Sequence, residues 1–142
     1  LGGAPEKDAQ LLYDFGIKMG LAFQLQDDYL DVYGDPAVFG KKIGGDILCN
    51  KKTFMLITAL SLSEGEDKET LLNWLRVTDY VAEEKIQSVT ALYNKVGVPE
   101  LCQARIDAYY KEGLELLDKV NVESSLKEEL KKFVCHLMDR KL

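Results

Sequence analysis

Apolar residues recur every three or four positions along most of this chain, close to the period of about 3.6 residues that is typical of α-helices. The pattern is interrupted at Gly34-Asp35-Pro36, in the polar segment 63–67 and at Gly97. No stretch of useful length alternates between apolar and polar residues as a β-strand would, and nothing repeats. The sequence therefore predicts an all-α fold. Its helices are expected at about 5–33, 50–61, 71–75, 81–96, 99–119 and 125–140.

Residue types at the predicted boundaries agree with these helix ends. Gly97 followed by Pro99 predicts the end of one helix and the start of the next. Ser125, with Glu128 three residues later, forms a capping-box pattern, which predicts the start of the last helix. The segment 34–46 is polar and rich in glycine, so we expect it to connect two helices without being helical itself.

Length and composition limit the classes of protein that are possible. The chain has 142 residues, 46% of them hydrophobic and 30% charged, which predicts a single domain over residues 1–142 and excludes intrinsic disorder. It carries 18 basic and 24 acidic side chains, for a formal net charge of -6. Because a nucleic-acid-binding protein normally carries a basic excess, we expect no nucleic-acid partner.

The cysteines and the apolar runs bear on the location of the protein. Cys49, Cys102 and Cys135 are far apart and show no C-x-x-C spacing, which favours a reducing compartment and thus the cytoplasm. No run approaches the ~20 apolar residues of a membrane-spanning helix, so we expect no membrane span. Because the chain opens at Leu1 and not at Met, we expect it to be a piece of a longer protein.

Three carboxylates interrupt the apolar end of the first predicted helix. At about 100° per residue, Gln24, Asp27, Asp28 and Asp31 fall within one arc of the helix surface. Like charges three or four residues apart repel by about 0.2–0.5 kcal/mol per pair, and a bound cation would offset that repulsion. Hard oxygen ligands without His or Cys favour Mg²⁺, which binds through one or two carboxylates plus substrate phosphates. A solvated helix face is the alternative explanation.

Lysines and glycines follow the acidic residues in the segment 40–53. A Walker-type phosphate loop is excluded because the glycine spacing is wrong, Lys41 is followed by Lys42, and no strand precedes the loop. A simpler hypothesis is that Lys41 and Lys51 provide mobile charges to a diphosphate. Asp46 would fix the loop or bind a water on a metal. Lysines in a polar loop are otherwise usually just solvated.

Together these residues resemble the second aspartate-rich region of the trans-isoprenyl diphosphate synthases. That family includes farnesyl, geranylgeranyl and longer polyprenyl diphosphate synthases. The resemblance is dense over residues 16–53 and specific in both residue type and spacing, whereas beyond residue 53 only the helical character agrees. The elements that carry it are Phe23-Gln24, Asp27-Asp28-x-x-Asp31, Gly40-Lys41, Gly44-x-Asp46 and Lys51-x-Thr53.

The resemblance implies a fold, an activity and a cofactor. The fold is a helical bundle of the isoprenoid-synthase type, of which this chain resembles the C-terminal portion. The family condenses isopentenyl diphosphate with an allylic diphosphate in isoprenoid biosynthesis and holds the allylic diphosphate with Mg²⁺. The family's first aspartate-rich motif would lie upstream of this chain. The chain by itself is therefore expected to be inactive, and its product chain length is not readable.

The resemblance also implies roles for individual residues. Asp27 would be the metal ligand, and Asp28 and Asp31 would support it or its waters. Gln24 and Lys41 are the candidate catalytic residues. The side chains expected to contact the allylic diphosphate, or to steady the cation formed from it, are Gln24, Lys41 and Lys51.

The state of association is a further expectation. The family resemblance implies a homodimer. An apolar face left without its upstream partners would be too large to stay bare in water, and it would drive self-association. The predicted members of that face are Phe15, Met19, Phe23 and Tyr29.

Two other functions remain open on the sequence. A terpene cyclase shares the helical fold, and Asn121, Ser125 and Glu129 have the spacing of its second metal motif. Val122 departs from that motif, however, and the predicted helix cap explains Ser125. The other alternative is a non-catalytic helical partner subunit of a synthase. The retention of all three aspartates and both lysines argues against it, because an interaction surface does not need that set.

Overall fold

The computed structural model describes residues 6–35, 43–120 and 124–138, and within these ranges all regular secondary structure is helical. No strand occurs in the described ranges, so the all-α prediction is confirmed. None of the described helices is long and apolar enough to cross a membrane. The helices are α1 (Glu6–Tyr33), α2 (Gly45–Leu48), α3 (Phe54–Leu62), α4 (Gly65–Arg76), α5 (Ala82–Lys95), α6 (Val98–Asp118) and α7 (Ser124–Met138).

The chain divides into two compact units, and the described residues of the first are 6–26, 104–120 and 124–138. Its core is a cluster of Phe15, Leu117 and Val134, each no more than 9% exposed. Met19 packs against this cluster. The prediction that Phe15 and Met19 belong to a bare apolar face is therefore wrong, because side chains of α6 and α7 cover them. The prediction of a single domain stays a prediction.

The described residues of the second unit are 27–35 and 43–103, and they include the acidic end of α1. Within it, α5 packs against α2, α3 and α4. Trp74 Nε1 on α4 donates to Ser88 Oγ on α5 at 2.8 Å, and the Tyr33 hydroxyl at the end of α1 lies 2.8 Å from Asn94 Oδ1 on α5. The buried apolar residues of this unit include Leu30, Val32, Ile47, Met55, Leu56, Ala59, Leu71, Val89, Leu92, Tyr93, Val98 and Cys102.

The helix after the polar connection starts later than predicted. The sequence predicts its start near Asn50, whereas α3 begins at Phe54 with Thr53 as its N-cap. The Thr53 hydroxyl accepts a hydrogen bond from the Leu56 N–H at 3.1 Å. Asn50 has a φ of 56°, a left-handed conformation that interrupts any helix at this position. The preceding short helix α2 was not predicted, because four residues give too little periodicity to recognise.

Other boundaries agree with prediction or differ by a short stretch. Gly97 has a φ of 80° and separates α5 from α6, as predicted. The apolar pattern is interrupted over the segment 63–67, but α4 already begins at Gly65. Because α7 begins at Ser124, Ser125 lies inside its first turn and is not the N-cap that the sequence predicts. Asn121 of the cyclase-like spacing lies outside the described residues.

Candidate metal and diphosphate site

The second unit brings the acidic end of α1 against the turn that follows α2. The Lys51 ammonium lies 2.9 Å from Asp28 Oδ1 and 3.8 Å from Asp46 Oδ2. The Asp28 side chain is 11% exposed, whereas that of Lys51 is 48% exposed. The hydrogen bond to Asp28 raises the pKa of Lys51. Lys51 is thus held as a cation by two carboxylates, with part of its side chain open to solvent.

Asp31 fixes the start of the short helix α2. Its Oδ2 atom accepts a hydrogen bond from the Asp46 N–H at 2.8 Å, and its main-chain carbonyl accepts one from the Gly44 N–H. Gly44, at the N-cap position of α2, has no side chain with which to cap the helix. Asp31 therefore supplies the cap from a different helix, and its carboxylate is buried, at 5% exposure.

The turn between α2 and α3 is closed by backbone hydrogen bonds. The Lys51 N–H donates to the Asp46 carbonyl at 2.9 Å, and the Thr53 N–H donates to the Lys51 carbonyl at 2.8 Å. Between them Asn50 takes its left-handed conformation, which Asn tolerates better than most residues. This local geometry aims the Lys51 side chain back toward α1.

Three predicted site residues remain, namely Asp27, Gln24 and Lys41, and the structure describes the first two. Asp27 is half-buried on α1, next to Asp28. Gln24 is exposed on the same helix, three residues earlier, and belongs to the first unit. Lys41, with its neighbour Lys42, lies outside the described residues.

The carboxylates do not form a preassembled metal cage. Among the described residues, no group of three or more His, Cys, Asp or Glu side chains is arranged to hold a metal ion. The reason is visible in two of the three aspartates: Asp28 is paired with Lys51, and Asp31 caps α2. The donor set is nevertheless one of hard oxygens, and Mg²⁺ typically needs one or two carboxylates with substrate phosphates completing its shell. The residues therefore fit Mg²⁺ bound together with a phosphorylated ligand.

Buried groups with shifted pKa values lie beside the acidic end of α1. Burial raises the pKa of the Cys102 thiol to about 12, and the negative charge of Asp28 adds to the shift. Burial also raises the pKa of Tyr33 and of Tyr93 well above the usual range of tyrosine. These groups stay protonated and neutral at physiological pH. They therefore add no charge to the site.

Sequence reasoning missed two residues that hold the Lys51 turn. The Lys85 ammonium donates to Asn50 Oδ1 at 2.7 Å, and Lys85 is 1% exposed. A signal for Lys85 was available, because it lies four residues before the buried Val89 and thus on the same face of α5. A lysine at such a position is rarely buried without a purpose. Asn50 gives no comparable signal.

An all-α fold in which Lys51 lies between the buried Asp28 and the half-buried Asp46 defines a class of helical proteins with paired acidic and basic side chains at one site. Comparison with known proteins makes this class specific. The family model described as Polyprenyl synthetase matches residues 1–94, which is more than half of the chain. The chain belongs to the polyprenyl synthetase family.

Individual relatives agree with the family. The chain is 33% identical to a short chain isoprenyl diphosphate synthase from Methanothermobacter thermautotrophicus over 129 residues, which cover 89% of this chain and 39% of that protein. It is 38% identical to farnesyl pyrophosphate synthase from Saccharomyces cerevisiae over 100 residues, covering 70% of this chain and 27% of that one. The solved polyprenyl synthetase from Streptomyces coelicolor A3(2) matches with a TM-score of 0.87 at 27% identity, covering 96% of this chain and 42% of that chain.

The matches cover most of this chain but only a minor part of each relative. The chain spans roughly two fifths of the length of the first curated relatives it matches, 39% and 42%. The family and the helical fold predicted from the residues are confirmed. Activity, substrates and partners of a whole synthase are matters of proposal for this chain.

Proposed function

We propose that this chain forms the part of a Mg²⁺-dependent trans-prenyltransferase that binds the allylic diphosphate. The complete enzyme would condense isopentenyl diphosphate with an allylic diphosphate to extend an isoprenoid chain. The observation that carries the proposal is the contact of Lys51 with Asp28, because it joins the acidic helix to the lysine-bearing turn in one site. Acidic and basic groups are both needed where metal ions and a diphosphate bind together.

Each described residue has a distinct task in this proposal. Asp27 and, on ligand binding, Asp28 are the oxygen donors that would hold Mg²⁺, and the bound metal would neutralise charge on the leaving diphosphate. Lys51 donates hydrogen bonds to a diphosphate oxygen from its solvent-facing side. Asp31 keeps the turn against α1 by capping α2. The candidate contacts of Gln24 and Lys41 with the same diphosphate remain predictions.

These groups would act on the step in which the allylic carbon–oxygen bond breaks. That bond leaves its electron pair on the diphosphate and gives an allylic cation, which the double bond of isopentenyl diphosphate attacks before a proton is lost. Positive charge fixed near the leaving diphosphate favours the transition state of this step more than the ground state. Lys51 would provide such charge, because a lysine ammonium is a cation at physiological pH and its aspartate partners raise its pKa further.

One relative supports this ligand chemistry directly. A solved geranylgeranyl pyrophosphate synthase from Corynebacterium glutamicum, described as complexed with isoprenyl diphosphate and magnesium, matches with a TM-score of 0.85 at 29% identity. It covers 97% of this chain and 39% of that chain. We further propose a cytoplasmic location, because all three cysteines of this chain are unpaired. A homodimer remains a prediction.

Substitution of Lys51 tests the proposed function in the full-length protein that carries this chain. Lys51→Ala should raise the KM for the allylic diphosphate by about tenfold to a hundredfold, because hydrogen bonds from charged donors are worth that factor. Steady-state kinetics with isopentenyl diphosphate and Mg²⁺ at saturation would measure it.

Lys52→Ala is the matched control for this experiment. Lys52 is the adjacent residue and is exposed, so its removal should leave the KM within about twofold of the wild-type value. Equal effects of the two substitutions would reduce Lys51 to a general basic charge. Absence of any prenyl transfer by the unaltered full-length protein would instead favour the non-catalytic partner subunit.

A further inference from the structure

Lys85 is buried in an environment that disfavours its charge. It is 1% exposed, and within the described part of the chain no salt bridge involves it. It lies in the first turns of α5, near the helix end where the backbone dipole repels a cation. Burial lowers the pKa of Lys85. A leucine or methionine would fill the same space at less cost, so the ammonium must do something that an apolar side chain cannot.

The ammonium contacts two groups that an apolar side chain could not bind. It donates to Asn50 Oδ1 at 2.7 Å and lies 4.6 Å from the centroid of the Tyr80 ring, a cation–π distance. The Tyr80 hydroxyl donates to the Leu48 carbonyl at 3.2 Å, at the last residue of α2. The ammonium therefore contacts Asn50 directly and, through Tyr80, is connected to Leu48, and these two residues flank Cys49.

Asn50 connects Lys85 to the candidate site, because it binds the Lys85 ammonium and directly precedes Lys51 in the chain. Its Nδ2 group donates to the Leu75 carbonyl at 3.3 Å, while its Oδ1 accepts from Lys85. The two bonds fix the orientation of the side-chain amide and with it the left-handed backbone, which has a φ of 56°. The next residue in the chain is Lys51. A cavity of about 10 Å³ is lined by Asn50, Lys85, Lys51 and Asp46 among others, so these groups surround one small space.

We propose that Lys85 is a positioning residue, which locks Asn50 in its left-handed conformation and so sets the turn that presents Lys51 to the anionic ligand. The proposal rests on the proposed function for the identity of that ligand, an allylic diphosphate. Lys85 touches neither the ligand nor the reacting atoms in this account. It acts on binding through the backbone conformation of one residue.

Lys85→Met in the full-length protein tests the proposal, because methionine keeps most of the volume and removes the donor. We expect the KM for the allylic diphosphate to rise by about tenfold, while the KM for isopentenyl diphosphate stays within about twofold. Lys95→Met is the matched control, since Lys95 is at the other end of α5 in an exposed salt bridge with Asp67. It should leave both constants unchanged.

A rescue variant separates positioning from general loss of stability. Glycine adopts positive φ without strain, so Asn50→Gly added to Lys85→Met should keep the turn without the lysine. We expect the KM of the double variant for the allylic diphosphate to return most of the way to the wild-type value. A Lys85→Met protein whose two KM values rise together, or a double variant no better than the single one, would overturn the positioning role.

A measurement that needs no activity keeps this test independent of the proposed function. The Lys51 amide donates within the turn and the Asp46 amide donates to Asp31. In Lys85→Met both amides should exchange hydrogen about tenfold faster than in the unaltered protein, because loss of the bond from a charged donor frees the turn. Unchanged exchange would refute the inference even in an active enzyme. Faster exchange in a protein without prenyl transfer would keep the inference and reject the proposed ligand.

Discussion

Cys102 shows at the scale of one residue how burial beside the acidic helix changes chemistry. It is 1% exposed, and its pKa is raised from 9.0 to about 12 by burial and by the charge of Asp28. Cys49 and Cys135 are exposed. A thiol-specific reagent should therefore label Cys49 and Cys135 in the folded protein and leave Cys102 unmodified.

The same shift predicts a dependence of stability on pH. Between pH 9 and about 12 the thiol of the unfolded chain loses its proton, whereas the folded protein retains it. The folded state then binds more protons, so its free energy of unfolding falls as pH rises, by up to about 1.4 kcal/mol per pH unit. Urea unfolding from pH 9 to 11 should show a shallower fall for Cys102→Ala than for Cys49→Ala. Identical slopes would contradict the assigned pKa of Cys102.

The sequence predicts which individual residues belong to the candidate site, but it does not predict which partners they contact. Asp28 and Asp31 are predictable because three-residue spacing on a helix places them on one face. Their pairing with Lys51 and with the Asp46 N–H is not predictable, because it depends on how the turn after α2 folds back against α1. Lys85 was missed for the same reason: its role lies in a contact with a residue 35 positions earlier.

At the scale of the elements, Gly44 decides how α2 joins α1. It has a φ of 93°, and a Cβ at this position would lie 2.6 Å from Cδ1 of Ile86 on α5. The N–H of Gly44 also donates to the Asp31 carbonyl. An added methyl group would therefore have two effects: it would strain the left-handed backbone, and it would clash with the Ile86 side chain.

Gly44→Ala should accordingly destabilise the protein more than Gly65→Ala does. Gly65 has a φ of 58° but nothing within 4 Å of a Cβ, so its substitution carries the conformational cost alone, about 1–2 kcal/mol. Gly44→Ala carries a similar conformational cost, because Gly44 also has a positive φ, and in addition the cost of the clash with Ile86. The difference between the two free energies of unfolding, measured with urea, isolates the clash. If the two variants lose equal stability, Ile86 moves aside freely and Gly44 is needed for its backbone alone.

The long helices were predictable and the connections were not. The pattern around α5 and α6 is strongly periodic, and Gly97 with Pro99 marks the boundary between them in the sequence. The start of α3 depended on Thr53 and on the positive φ of Asn50, and neither follows from hydrophobic periodicity. The short helix α2 is held by Asp31 from another element, which a local pattern does not contain.

At the scale of the whole molecule, the exposed apolar residues of α1 differ from those predicted. Tyr13 is 64% exposed, Ile17 45% and Leu21 38%, and their spacing of four residues places them along one helix face. Phe15, by contrast, is in the core. The predicted self-association and homodimer remain predictions.

The residues of the candidate site lie within the range 1–94 that matches the family model. The chain belongs to the polyprenyl synthetase family and spans 39% of the length of a curated relative. Within that span the Lys51 ammonium contacts Asp28 and lies 3.8 Å from Asp46 Oδ2. The central proposal is that Asp27 and this contact together form one side of a metal-assisted diphosphate site.

The most direct test of that claim is the turnover of Asp27→Ala in the full-length protein with Mg²⁺, isopentenyl diphosphate and an allylic diphosphate. The account predicts that kcat/KM for the allylic substrate falls by about 100-fold or more, because loss of one group that stabilises developing charge costs that much. Asp14→Ala is the control: Asp14 lies on the same helix, and its exposed hydrogen bond with Gln10 contributes little. Helix content, measured by circular dichroism, should be the same in both. Near-normal turnover of Asp27→Ala would contradict the account.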